Sequence, residues 1–134
     1  MHNAVPGICR FVFWVHLLVA AVLGVLLLVF PGLVAEWLGY RAWAEWIPVI
    51  RSYGAMILGI GGVTSYLGTR ARGWDQVEFI VRGEIVYLLL STVVLLIGLL
   101  QESGPTLASA AMAGLSLLFL ILFFVAWLRR PIAS

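Results

Sequence analysis

Charged side chains interrupt this chain only at wide intervals. Phe11 to Ala35 is 25 residues without Asp, Glu, Lys or Arg, Ser52 to Thr69 is 18, Ile85 to Leu100 is 16 and Ser103 to Leu128 is 26. Admitting Glu78, Arg82 and Glu84 lengthens the third run to Val77 through Leu100, 24 residues. A hydrocarbon core ~30 Å thick takes ~20 helical residues at ~1.5 Å each. Inside lipid, only a helix satisfies its own backbone over such a run. The pattern therefore predicts four transmembrane helices, near residues 9–30, 49–69, 77–100 and 106–128. The expected fold class is all-α: an integral membrane four-transmembrane-helix bundle forming a single domain over 1–134.

The connections are short. Pro31-Gly32 is expected to end helix one, because proline removes a backbone donor and glycine tolerates the turn. The segment 33–46 then sets Trp37, Tyr40, Trp43 and Trp46 beside Glu36, Arg41 and Glu45. Amphipathic aromatics with a few charges suit the membrane–water boundary, so this segment predicts a short interfacial helix, broken at Gly39. Arg70 to Asp75 links helices two and three, and Gln101 to Pro105 links three and four. The first apolar stretch is about 20 residues, longer than the ~7–15 of a signal-peptide core. With only Arg10 before it, it reads as a retained first helix.

Composition sharpens this picture. Hydrophobic residues make up 63% of the 134, and charged residues 10% where about 25% is ordinary in soluble domains. A water-soluble enzyme surface cannot be built from that. The net charge of +2 is too small and scattered for a nucleic-acid surface. It is instead a topology signal. Arg10, Arg70, Arg72, Arg82, Arg129 and Arg130 fall on the side of both termini, and Arg41 and Arg51 on the other. Under the positive-inside rule this predicts a bacterial inner-membrane protein with both termini cytoplasmic. Trp14, Trp74 and Trp127 would mark the inner boundary, and Trp37, Trp43 and Trp46 the outer one.

The few polar groups define the candidate chemistry. Residues at i, i+3, i+4 and i+7 share a helix face. In helix three this groups Glu84, Tyr87, Ser91 and Gly98, and in helix one Cys9, His16, Ala20 and Gly24. Helices one and three start on the same side, which permits a His16/Glu84/Tyr87 cluster, with Ser91 beyond it, as a ligand or proton site. Such a cluster can hold a proton, a quinone headgroup or, through His16, a metal-centred pigment. The bland readings stand beside it. Helix three can simply start late, with its 16 charge-free residues from Ile85 spanning a thinned core, and His16 can be a hydrogen-bonded structural residue. Glu78 and Arg82 lie at i,i+4 in the order that favours an ion pair. Arg51 is the outer-side charge candidate, either a snorkelling anchor with Glu36 and Glu45 as partners or an anion contact. Ala20/Gly24, Ala55/Gly59, Gly61/Ser65 and Ala110/Gly114 are small-xxx-small pairs that let helix backbones approach closely. They serve packing within the bundle or an interface with another chain.

Several activities lack their equipment. The single cysteine, Cys9, excludes an internal disulfide, CxxC chemistry of the vitamin K reductase type and Cys-ligated metal. No catalytic residue set, phosphate loop, metal site or acid cluster for magnesium-dependent headgroup transfer is present in the pattern. Small multidrug exporters depend on an acid in their first helix, and here that helix has none.

Phe30-Pro31-Gly32, Trp37-Leu38-Gly39, Arg51-Ser52-Tyr53-Gly54-Ala55 and Leu58-Gly59 resemble small four-helix bacterial membrane proteins of the DoxX-like kind. In that family a Pro-Gly turn ends helix one and an Arg-x-x-Gly-x-x-x-x-Gly stretch opens helix two. The resemblance implies the fold, with Arg51, Gly54 and Gly59 as family-like positions, and a link to quinone chemistry. Three functions follow as expectations. The first is a non-catalytic accessory or assembly subunit packed in lipid against other membrane subunits, or itself, in a respiratory, photosynthetic or transport complex. The second is a DoxX-like redox helper binding quinone or another lipophilic ligand. The third, weaker, is a proton-coupled transporter of small solutes.

Overall fold

The computed structural model describes residues 4–40, 44–102 and 105–131. Among them are five helices: α1 (Gly7–Val29), α2 (Pro31–Trp37), α3 (Ala44–Arg70), α4 (Glu78–Leu100) and α5 (Thr106–Leu128). α1, α3, α4 and α5 are each long and apolar enough to cross a membrane. The chain is a multi-pass membrane protein built as an all-α bundle, and its spans lie within about five residues of the predicted helix bounds. Residues Arg41 and Trp43, expected at the outer boundary, and Ser103 lie outside the described residues.

Local chemistry explains the breaks. Pro31 stands at the first position of α2, where a missing N–H costs nothing. Rather than merely ending α1, it starts the next helix one residue later. α2 closes in a Schellman motif: Gly39 N–H donates to Glu36 C=O at 2.9 Å and Tyr40 N–H to Ala35 C=O at 2.8 Å. Gly39 supplies the left-handed conformation this requires, with φ 81°. α3 starts earlier than its apolar run, through a 3-10 turn at Ala44–Trp46, because Pro48 sits harmlessly in the first α-helical turn. Its middle, Ile57–Gly62, is wound as a π-helix.

The bundle is two antiparallel hairpins, α1 with α3 and α4 with α5, joined where α1 packs against α5. α3 and α4 are not among the closely packed pairs. Lipid gives apolar helices no reason to associate, so close packing and hydrogen bonds must do it. At the end that carries the termini, Phe13 and Phe123 meet edge-to-face at 5.6 Å among fully buried Cys9, Val12, Val77 and Val81. Arg10 donates to Ala71 C=O at 3.2 Å, and Ala4 forms an antiparallel bridge with Gly73. At the same end the Trp127 and Trp74 rings meet at a tilt, 6.2 Å apart, and the Arg82 and Arg130 guanidinium groups lie 4.8 and 4.1 Å from the Trp127 ring. The start of α1, the α3–α4 link and the end of α5 thus share one end. Gly39 approaches Pro105 at the other.

The small residues divide. Gly24 and Gly54 bring α1 and α3 together: a Cβ on Gly54 would lie 2.9 Å from Leu28 N and 3.0 Å from Gly24 O. Ala20 is buried and a Cβ at Gly61 would lie 3.6 Å from its methyl. Ser65 is fully buried. By contrast Ala55, Gly59, Ala110 and Gly114 are exposed, and a Cβ on Gly59 or Gly114 would meet nothing within 4 Å. Those two pairs do not pack the bundle, because each turns away from the neighbouring helix.

Candidate functional site

Because α3 and α4 stand apart, a cleft of about 540 Å³ lies between them, walled by both and floored by α1 and α5. This is within the ~300–1,000 Å³ of small-molecule sites. On α4 its lining runs from Phe79 to Leu95, and on α3 from Tyr53 to Leu67. At ~1.5 Å per residue these stretches are about 24 and 21 Å long. The cleft is therefore a slot along the helices, nearly as tall as a hydrocarbon core. Rim residues including Ile60, Leu67 and Phe79 are exposed, so the slot opens sideways between α3 and α4.

All four residues expected in a ligand or proton site, His16, Glu84, Tyr87 and Ser91, line this one cleft. α4 begins at Glu78, so Glu84 lies one and a half turns inside the helix, and it is only 8% exposed. The reading in which helix three starts late, only after Glu84, does not hold. Glu78 stands in the first turn, paired with Arg82 at 2.6 Å.

Two adjacent residues of α3 hold the two principal polar groups. Ser65 Oγ is hydrogen bonded to His16 Nδ1 at 2.7 Å. Thr64 Oγ1 lies 3.3 Å from Glu84 Oε1. The Thr64 hydroxyl also donates back to Ile60 C=O at 2.7 Å, within the π-wound turn. Such back-bonding bends helices, and a π turn rotates the residues after it relative to those before. Here it delivers consecutive side chains to α1 and to α4. His16 is held further by edge contacts with Phe119 at 4.7 Å and Phe123 at 5.4 Å. The phenols of Tyr53 and Tyr87 neighbour one another across the slot. His16 and Glu84 share the cavity but not a hydrogen bond.

Thr64 and Tyr53 are the site residues that sequence reasoning passed over, and Ser65 was read only for its size. The signal was a Thr-Ser pair in a glycine-rich span. Beside the cleft, Thr92 and Ser116 tie α4 to α5: Thr92 Oγ1 lies 3.0 Å from Ser116 Oγ, and both hydroxyls reach Leu88 C=O. Arg51 belongs elsewhere. It is exposed, as are Glu36 and Glu45, does not line the cleft and makes no ion pair with either among the described residues. Among the described residues no group of three or more His, Cys, Asp or Glu is placed to hold a metal ion.

Comparison with known proteins adds no relative: no family model, no curated protein and no solved structure matches the chain. One of the DoxX-like positions has a clear structural role, Gly54 at the α1–α3 crossing, whereas Gly59 faces open space.

Proposed function

We propose that this is a non-catalytic membrane protein that holds a lipid-soluble molecule in the slot between α3 and α4. The observation that carries the reading is the slot itself: tall, mostly apolar, open sideways, and lined by a few polar groups among which Thr64 meets Glu84. Buried ionisable groups in a span are costly and face protein interiors or cavities, and this one faces a cavity with room for a ligand. A quinone is the member of that ligand class that the DoxX-like resemblance implies. The arginine distribution supports a bacterial inner membrane with the Trp74/Trp127 end cytoplasmic. The exposed Trp37 and Trp46 support α2 and the start of α3 lying at the opposite boundary.

Gly83 provides the test. It lines the slot, and a Cβ there meets nothing within 4 Å, so a side chain at this position enters the cavity without disturbing packing. Protein extracted in mild detergent is expected to carry about one equivalent of a lipid-soluble molecule, identified by mass spectrometry of the solvent extract. Gly83→Phe should elute as the same folded species with that molecule depleted. Wild-type protein carrying nothing beyond bulk lipid, or equal occupancy in Gly83→Phe, would sink the proposal.

A second reading rests on a different observation. Ala55/Gly59 and Ala110/Gly114 present small surfaces outward, which suits an accessory subunit packed against another membrane protein or a second copy of this chain. Stoichiometric co-purification of a larger complex in the same extraction would favour it.

A further inference from the structure

The slot has an electrostatic character of its own. Among the described residues that line it, Glu84 is the only Asp, Glu, Lys or Arg. The other titratable groups facing Glu84 are His16 from α1, Tyr53 from α3 and Tyr87 from α4 itself; α5 contributes none. Glu84 also has weak internal support. Its hydrogen-bond partner is the Thr64 hydroxyl, which has one hydrogen to give and whose oxygen lies closer to Ile60 C=O than to the Glu84 carboxyl, 2.7 against 3.3 Å. A carboxylate buried this way is compensated by a proton or by an external cation. Aromatic rings line the slot together with Glu84: Tyr53 and Tyr87 on opposite walls and Phe79 at the rim. Ring faces attract cations, most strongly where water is excluded. The sideways opening admits only molecules that partition into lipid.

We propose that the slot binds lipophilic organic cations, of the quaternary ammonium or phosphonium class, with Glu84 as counter-charge and Tyr53 and Tyr87 as the aromatic walls around the cationic head. This rests on the slot being a ligand site at all, so the experiment uses a charged and a neutral probe of similar shape, tetraphenylphosphonium and triphenylphosphine oxide. Binding of each to the detergent-purified protein is measured by calorimetry. Wild type is expected to bind the phosphonium at least tenfold more tightly than the neutral oxide. Glu84→Gln should remove that preference while leaving the oxide unchanged. Tyr87→Leu, which keeps the carboxylate, should weaken the phosphonium several-fold and so guards against a folding defect in the Glu84 variant. If the oxide binds as well as the phosphonium, or the phosphonium is indifferent to Glu84→Gln, the site is for neutral molecules and the cation assignment fails alone. If neither probe binds to a monodisperse, helical wild-type protein, the slot reading fails with it.

Discussion

Gly24 and Gly54 set the distance between α1 and α3. A methyl group on Gly54 would lie 2.8 Å from Leu27 Cβ and within 3.0 Å of two backbone atoms, none of which can swing aside. Gly54→Ala is therefore expected to force the helices apart and cost ~1–3 kcal/mol, the ordinary penalty of overpacking. Gly114→Ala, in open space, should cost nothing and gain up to ~1 kcal/mol from helix propensity. Thermal unfolding of the two variants in the same detergent separates them, and equal midpoints would refute the packing argument. This contrast marks what the residue pattern tells and what it leaves out. His16 and Glu84 stand out because ionisable groups are rare in such a chain. Gly54 and Gly114 have the same composition signal and opposite surroundings, since a small residue does not say what faces it. Thr64 gave only a weak signal, a hydroxyl beside Ser65 in a glycine-rich span, because a threonine can satisfy itself on its own helix and its second contact depends on the neighbour.

The elements were legible almost to their ends, because charge and proline place a helix terminus without reference to the rest of the fold. The π-wound turn of α3 was not. Its glycines read as packing residues, and the winding depends on how Thr64 and Ser65 meet α4 and α1. The α4–α5 hairpin owes its register to Thr92 and Ser116, which bond each other and the Leu88 carbonyl between otherwise apolar surfaces. Hydrogen bonds between membrane helices average ~0.6 kcal/mol and reach at most ~1.7. A double-mutant cycle with Thr92→Val and Ser116→Ala, read by reversible unfolding in mixed micelles, should return a coupling in that range. A coupling of zero would mean that the apolar contacts alone hold the hairpin.

At the scale of the whole molecule, the start of α1, the α3–α4 link and the end of α5 share one end, as expected from an even number of spans. Which face of the membrane that end occupies is a matter for labelling. In a Cys9→Ser background, Arg72→Cys and Arg129→Cys should be protected from a membrane-impermeant maleimide in intact cells. Glu36→Cys and Glu102→Cys should react, and the reverse pattern would invert the topology. The four-span bundle followed from the runs, whereas the separation of α3 from α4 did not, because no helix face announces that it will be left without a partner. The join between the hairpins also has a consequence in time. His16 meets Phe119 and Phe13 meets Phe123, residues more than 100 positions later in the chain. At ~5–20 residues per second of synthesis, α1 waits roughly 5–20 s in the membrane before its partner surface exists. During that interval the His16 ring faces lipid on the side that Phe119 later covers. The last span to be made is thus the one that seals the floor of the slot, and a nascent chain stalled before it would present that floor to whatever insertion factor or neighbouring helix lies beside it.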